Sequence, residues 1–211
     1  QPLDNALDNC TALTYIKFGR MFNHSLGSSL VVCTSLTHIV FGEYFNCPLS
    51  NALDNCTALT HISFGNNFAQ PLSSFLNNCP SLTHLGLNYC FDQKLDLPHN
   101  INSLYINSNI TSYVDYLPDT VEELKLGPNF NLELTNLPSS IKKIIFDRFS
   151  GYDKKLNCLP SGLSILQLPG YYGQQIQNIP PTLQTLICYE EYEFIKDFTN
   201  VRVETDYKNF N

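Results

Sequence analysis

The stretch Leu59-Thr60-His61-Ile62-Ser63-Phe64 decides the fold of this 211-residue chain, because it recurs with a fixed period. Close copies of the stretch start 23 residues apart, at Leu13, Leu36, Leu59 and Leu82. A shorter version, apolar-x-x-apolar-x-apolar, follows at intervals of 19 to 22 residues, at Ile101, Val121, Ile141, Leu163 and Leu183. Phe198-x-x-Val201-x-Val203 has the pattern of a compressed last copy. A fixed period of about 20 residues predicts a solenoid.

The second half of each copy alternates apolar and polar residues, which predicts a half-buried β-strand. Two further apolar rows follow at fixed offsets from the last apolar strand residue. The first row, four residues on, contains Phe22, Phe45, Phe68, Phe91 and Phe130. The second row, eight residues on, contains Leu26, Leu49, Leu72, Leu95, Val114, Leu134 and Ile176. No single coil can bury these side chains alone, so we expect the coils to stack, with parallel strands about 4.8 Å apart.

The segment that returns the chain to the next strand changes in style near residue 97. In the early copies, Leu49, Ala52, Leu53 and Cys56 have the spacing of a short helical turn. In the later copies an apolar-Pro pair predicts a tight extended or single-turn connection, at positions 97, 117, 137, 159 and 179. We expect one solenoid over residues 1–211, with 23-residue repeats in 1–96, repeats of 19–22 residues in 97–190 and a C-terminal cap in 191–211. Because Gln1 aligns with Gln70 inside a repeat, we expect that an N-terminal cap or upstream domain is missing.

The repeats resemble the leucine-rich-repeat class, and in particular its FNIP-type branch, named for a Phe-Asn-Ile-Pro tetrapeptide. Phe45-Asn46-Cys47-Pro48 and Phe68-Ala69-Gln70-Pro71 carry the resemblance, as does the Leu-Pro-Ser-Ser-Ile run at 137–141. Such repeats are most similar to those of amoebae and of the giant DNA viruses that infect them. The resemblance implies an α/β-type leucine-rich-repeat solenoid, a curved stack of about nine coils. Its parallel β-sheet would line the concave face, and short helical or extended Leu-Pro segments the convex face.

In that family the repeats are protein-interaction domains, often behind an N-terminal F-box that docks onto a ubiquitin ligase. The resemblance therefore implies a non-enzymatic protein–protein interaction module. It could be the substrate-recognition part of an F-box-type ubiquitin-ligase adaptor, acting on cellular or host proteins in the cytoplasm. The alternative is a secreted or surface adhesion protein built from similar repeats. The usual leucine-rich-repeat Asn, eight residues after the first Leu, occurs only at Asn67, Asn109 and Asn129, so we expect no continuous Asn ladder there.

The composition excludes several functions. The chain is 43% hydrophobic and 15% charged, with a net charge of −7, which argues against binding to nucleic acid. No apolar run approaches the roughly 20 residues of a membrane-spanning helix. We find no acid–base pair, phosphate-binding loop or nucleophile motif, so the sequence predicts neither an enzyme nor a cofactor. It predicts a protein partner, and it leaves the oligomeric state open.

Four of the eight cysteines belong to the repeat, because Cys10, Cys33, Cys56 and Cys79 are 23 residues apart. Such a column favours buried free thiols and a reducing compartment over disulfides or a metal site. A row of histidines at the outward strand position, His38, His61 and His84, favours stacked side chains on a sheet surface. The alternative for this row is a metal ion held between two imidazoles.

The outward strand positions define the predicted partner-binding surface. Its residues are Tyr15, Lys17, His38, Val40, His61, Ser63, His84, Tyr105, Glu123, Lys125, Lys143, Ile145, Gln167, Ile187 and Tyr189. Tyrosines and exposed aliphatic side chains are suitable anchors at an interface. The acidic run Tyr189-Glu190-Glu191-Tyr192-Glu193 favours protection of an exposed edge strand, with a basic partner as the alternative.

Overall fold

The computed structural model describes residues 2–4, 6–93, 96–108 and 117–205. The structure has two compact units, residues 1–102 and 103–211. The strands of the first unit are β1 Tyr15–Lys17, β2 His38–Val40, β3 His61–Ser63 and β4 His84–Leu87. Those of the second unit are β5 Ser103–Ile106, β6 Glu123–Leu126, β7 Lys143–Phe146, β8 Ile165–Gln167, β9 Thr185–Ile187 and β10 Arg202–Glu204. Every predicted copy of the repeat therefore carries a strand, including the compressed last one.

Within each unit the strands are parallel and pair in chain order, as the repeat predicts. In the first unit His61 pairs with His38 on one side and with His84 on the other. In the second unit Leu124 pairs with Leu104 and with Ile144. Equivalent residues of successive coils therefore stack directly on one another, which confirms a leucine-rich-repeat solenoid.

The predicted inward residues form the core of each unit. The strand-leading residues from Leu36 to Leu183 are all buried, and so are the inward strand residues from Phe18 to Cys188, whereas Val203 in β10 is half-buried. The first-coil residues Leu13, Ile16 and Phe22 are half-buried, since no described coil covers them on one side. Leu95 and Val114, which we also expect to point inward, lie outside the described residues.

Aromatic rings stack along the core at regular intervals. In the first unit Phe41 lies 5.1 Å from Phe18 and 5.2 Å from Phe64, measured between ring centroids. In the second unit tyrosines continue the row of Phe130: centroids of Tyr152, Tyr172 and Tyr192 follow at 6.2, 6.2 and 6.0 Å. The fixed offsets of the repeat missed Tyr152, because two extra residues precede it in its coil.

The return segments contain less helix than the sequence predicts. One α-helix, α1 at Ser73–Asn77, and one 3-10 helix at Ile195–Asp197 are present in the described residues. The segment at 49–56 is a series of tight turns, in which Ala52 N–H donates to the Leu49 carbonyl. Ser50 in this segment has a left-handed backbone, with φ 46°. Asp4 and Gly27, at the equivalent positions of the two preceding coils, are also left-handed, with φ 45° and 52°. Residues 50–55 form turns and no helix, so the predicted helical turn at 49–56 is wrong.

The Leu-Pro connections are tight turns, as predicted. The carbonyl of Pro118 accepts a hydrogen bond from Val121 N–H at 3.0 Å, and Pro138, Pro160 and Pro180 accept equivalent bonds. In the 23-residue coils a cysteine has the same role, since Cys56 accepts from Leu59 N–H at 3.0 Å. Proline and cysteine thus occupy one structural position, at which the carbonyl closes the turn into the next strand.

No helix of the described residues has the length and the apolar character needed to cross a membrane.

Candidate functional site

A ladder of three stacked histidines covers the strand face of the first unit. The imidazole centroids of His38 and His61 are 4.1 Å apart, and those of His61 and His84 are 3.8 Å apart, with nearly parallel planes. Tyr15 continues the row at 6.2 Å from His38. The parallel register of the strands places the rings in contact, which confirms the predicted stacked row.

A row of threonines fixes the orientation of these rings. The hydroxyl of Thr60 donates to the carbonyl oxygen of Thr37 at 3.1 Å, and it lies 2.8 Å from Nδ1 of His61. Since the hydroxyl has a single proton, it accepts at Nδ1, and the neutral ring of His61 carries its proton there. Thr37 makes the same two contacts, to the Thr14 carbonyl and to His38.

The ladder opposes protonation of its central member. Burial, followed by the charges of His84 and His38, lowers the pKa of His61 to about 4. Above that pH the imidazole of His61, at the centre of the ladder, is neutral. Within the described residues, no group of three or more His, Cys, Asp or Glu side chains could hold a metal ion.

The remaining predicted residues of the first unit flank this ladder. Lys17 is exposed, whereas Val40 and Ser63 are half-buried. The two cavities described below are lined by residues of the second unit, and none of the predicted binding residues of the first unit contributes to them.

A cleft of about 530 Å³ lies on the strand face of the second unit. Seven predicted partner-binding residues line it: Tyr105, Glu123, Lys125, Lys143, Ile145, Gln167 and Ile187. They come from five successive strands, β5 to β9, and the register of the sheet brings them together. Burial, followed by the charge of Asp147, raises the pKa of Tyr105, so its hydroxyl stays protonated in the cleft.

Two of the seven are less exposed than their outward position predicts. Gln167 is 6% exposed and Ile187 is 1% exposed, so both form the floor of the cleft. The amide nitrogen of Gln167 donates to the Phe146 carbonyl at 2.9 Å, which holds its side chain against the neighbouring strand. The expectation that these two side chains are exposed is therefore wrong, although both belong to the predicted face.

Charged groups are arranged along one wall of the cleft. The Glu123 carboxylate accepts a hydrogen bond from the Ser103 hydroxyl at 2.8 Å and lies 3.1 Å from Lys125 Nζ. Burial acts to raise the pKa of Glu123, but the hydrogen bonds from Ser103 and Lys125 and the charges of Lys125 and Lys143 lower it overall. Lys143 itself is exposed, which leaves its ammonium group accessible at the rim.

The turn that follows β7 completes the cleft with residues outside the predicted set. Asp147, Arg148 and Phe149 all line it. The guanidinium of Arg148 lies 4.5 Å from the ring centroid of Phe149, and Asp147 accepts a hydrogen bond from Phe149 N–H at 2.8 Å. A sequence signal for Phe149 exists: it stands eight residues after Ile141, where the repeat class usually has Asn. The cleft thus combines a buried floor, an aromatic edge and three cationic side chains, Lys125, Lys143 and Arg148.

Tyr189, the last predicted residue, lines a different cavity, together with Tyr171. The acidic run that starts at Tyr189 follows β9, and β9 pairs with both β8 and β10. Since β10 is the last strand of the described sheet, the run lies one strand away from its edge, and the interpretation that it protects this edge stays a prediction.

Two comparisons bear on the family. The sequence profile of the FNIP repeat matches residues 113–149. CroV588, described as a novel circular LRR protein of the giant virus CroV, is 31% identical, with a TM-score of 0.68 over 84% of this chain. This chain spans 27% of CroV588. No curated protein sequence matches the chain.

An internalin (inlF) from Listeria monocytogenes str. 4b F2365 shares the fold at 18% identity, with a TM-score of 0.59 over 94% of this chain and 62% of its own. Solenoids of this class typically serve as non-enzymatic protein-interaction modules. The periodic sequence, the stacked parallel coils and these likenesses agree that the chain is a leucine-rich-repeat solenoid that carries FNIP-type repeat sequence.

Proposed function

We propose that this chain binds a protein partner through the strand-face cleft of its second unit. The observation that carries the proposal is the convergence of seven outward strand residues on one cavity of about 530 Å³. The apolar floor at Ile187 and the half-buried Ile145 offer area for hydrophobic contact. The rim cations Lys143 and Arg148 favour a partner segment that carries carboxylates.

The finer proposal is that this module selects the substrate of an F-box-type ubiquitin-ligase adaptor, acting on cellular or host proteins. The FNIP match and the likeness to a giant-virus protein support it. The role requires a reducing compartment such as the cytoplasm. The buried thiols of Cys33, Cys56 and Cys79 are in keeping with this location. Eight free thiols in denatured protein from its native source would support the proposal, and disulfides would favour the adhesion alternative.

The cleft is tested by affinity capture from lysate of the organism that carries the gene, with three versions of the protein. The Lys143→Glu/Arg148→Glu variant reverses both rim charges. The matched control, Lys155→Glu/Lys196→Glu, makes the same charge change at exposed residues that do not line the cleft. We expect a protein captured by the wild type and by the control to be lost from the cleft variant. Capture of the same proteins by all three versions would contradict the proposal.

The link to a ubiquitin ligase has its own readout. Cells that express the full-length protein should contain ubiquitin-ligase subunits in the captured material and should degrade the cleft-dependent partner faster. A partner whose half-life is unchanged, with no ligase subunit recovered, would exclude the adaptor role while leaving binding by the cleft intact.

A further inference from the structure

A second cavity, of about 450 Å³, lies between the turns that follow β8 and β9. Two tyrosines are exposed at it: Tyr171 is 89% exposed and Tyr189 is 40% exposed. Their ring centroids are 6.0 Å apart, and their planes are tilted by 49°. The buried rings of Tyr172 and Tyr192 also line the cavity, and their hydroxyl groups are committed to backbone carbonyl oxygens. The hydroxyls of these two buried rings are therefore not available to a ligand, and the rings contribute aromatic surface to the cavity.

Negative charge surrounds this aromatic surface. Glu191 and Glu193 line the cavity and are exposed, and no lysine or arginine is among its lining residues. In the part of the chain that the structure describes, the ion pairs involve neither of these glutamates. The charge of Glu191, followed by burial, Tyr171 and Glu190, raises the pKa of Tyr189. The tyrosine pair thus lies in a negative potential that favours a cation.

Aromatic residues at the same turn position in two other coils each contact an arginine of this chain. Tyr44 and Phe149 occupy the same place in their coils as Tyr171, three residues after the last inward strand residue. The guanidinium of Arg20 lies 5.6 Å from the ring centroid of Tyr44, and that of Arg148 lies 4.5 Å from that of Phe149. Tyr171 is preceded by Gly170 where Phe149 is preceded by Arg148, and within the described residues no guanidinium lies over its ring.

We propose that this cavity binds an arginine side chain presented by a basic segment of a partner protein. The guanidinium lies against the rings of Tyr171 and Tyr189, and the carboxylates of Glu191 and Glu193 accept its N–H groups. A planar, weakly hydrated guanidinium stacks on an aromatic face and donates to carboxylates at once, so arginine is favoured over lysine. The site is separate from the strand-face cleft and does not depend on the function proposed for that cleft.

The test is a calorimetric titration of the whole chain with an acetylated and amidated Gly-Arg-Gly peptide. A peptide with citrulline in place of arginine is the control, since citrulline keeps the planar shape and loses the charge. We expect the citrulline peptide to bind at least about tenfold more weakly, and we expect salt to weaken binding of the arginine peptide. Equal affinities, or no binding of the arginine peptide, would overturn the proposal, and this arm requires only wild-type protein.

Variants locate the site. Tyr171→Ala and, separately, Glu191→Gln/Glu193→Gln should each weaken arginine-peptide binding by about fivefold or more, whereas Tyr171→Phe should retain most of it. Tyr89→Ala removes an exposed tyrosine of the first unit and is the matched control that should leave binding unchanged. Circular dichroism verifies that each variant is folded. If Tyr171→Ala binds the peptide as tightly as the wild type, arginine is not held in this cavity.

Discussion

At the scale of single residues, a core position of the repeat that holds a tyrosine must also provide a hydrogen-bond partner for its hydroxyl. Tyr152, Tyr172 and Tyr192 fill places that phenylalanine holds in the earlier coils, and the added hydroxyl needs a partner when it is buried. Tyr172 donates to the Lys154 carbonyl at 3.0 Å, and Tyr192 donates to the Gln174 carbonyl at 2.8 Å. The buried hydroxyl of Tyr152 has no hydrogen-bond partner among the described residues. The buried hydroxyl is therefore satisfied in Tyr172 and Tyr192 and unsatisfied in Tyr152.

The first prediction is that Tyr152→Phe increases the free energy of unfolding by about 1 kcal/mol, because it removes a buried hydroxyl that makes no hydrogen bond. The matched control is Tyr192→Phe, which removes a hydroxyl that is hydrogen-bonded, and it should decrease the free energy of unfolding by about 1 kcal/mol. Urea denaturation followed by circular dichroism measures both. Destabilisation of equal size in the two variants would show that the Tyr152 hydroxyl is satisfied in solution.

A second residue-scale prediction concerns the glycine that follows the strand phenylalanine. At Gly65 a Cβ atom would collide with the carbonyl oxygen of Gly42 in the preceding coil, whereas at Gly19 it would meet nothing. Gly65→Ala should therefore destabilise the protein by about 1–3 kcal/mol, since the coils would have to separate. Gly19→Ala should leave the urea midpoint nearly unchanged. Equal midpoints for the two variants would show that the coils are packed less closely than the structure has them.

At the scale of elements, each turn is joined to the next by side-chain ladders. Asn23 Oδ1 accepts a hydrogen bond from Asn46 N–H at 2.9 Å, and Asn46 Oδ1 accepts one from Ala69 N–H at 2.9 Å. Asn131 repeats the contact in the second unit, with Asp153 N–H at 3.2 Å. The Asn of the Phe-Asn pair thus satisfies a backbone donor of the following coil. Among the described residues, an Asn ladder therefore exists at the FNIP position.

The histidine ladder is the element that responds to pH. Because the folded-state pKa of His61 is about 4, below its ordinary value of 6.5, the unfolded chain takes up a proton in this range while the folded chain does not. The stability that depends on neutral His61 is therefore complete above about pH 6.5, and we expect it to be lost as the pH falls toward 4. Thermal denaturation at pH 7.5, 6 and 5 measures this loss.

The control for this prediction is His61→Gln, which cannot titrate. Its melting temperature should fall less than that of the wild type between pH 7.5 and 5, because its central side chain takes up no proton in either state. Parallel curves for the two proteins would exclude His61 as the source of acid sensitivity.

At the scale of the whole molecule, each of the two units has its own core and its own candidate surface. The first unit presents a ladder of stacked histidines. The second unit presents a cleft with cationic side chains at its rim and a cavity surrounded by carboxylates. In both units each coil buries its apolar residues only against its neighbours, so removal of one layer exposes the next.

We therefore expect Leu59→Asp to unfold the first unit. Leu59 is fully buried between neighbouring coils, and a carboxylate there would be desolvated without a cation to pair with. Thr57→Asp introduces the same charge two residues away at an exposed position and should change stability by less than about 0.5 kcal/mol. Near-ultraviolet circular dichroism at 25 °C distinguishes the two. A native spectrum for Leu59→Asp would mean that the inward and outward faces are reversed.

The sequence by itself determined the inward half of the molecule. Every described strand-leading residue from Leu36 on is buried, because the apolar period is local and a parallel stack leaves only one way to bury it. The same regularity predicted which residues face outward, including the seven that meet in the cleft. It also predicted the tight turns at the prolines, since their fixed φ and missing N–H act within one coil.

Only the tertiary structure decided which outward residues come together in a cleft or cavity. It placed Gln167 and Ile187 at the floor of the cleft and joined Arg148 and Phe149 to its edge. These outcomes depend on turns of neighbouring coils whose lengths differ, so no periodic pattern contains them. The same reason explains why the acidic run after β9 borders an aromatic cavity. Repetition specifies what is common to the coils, and the candidate sites arise where the coils differ.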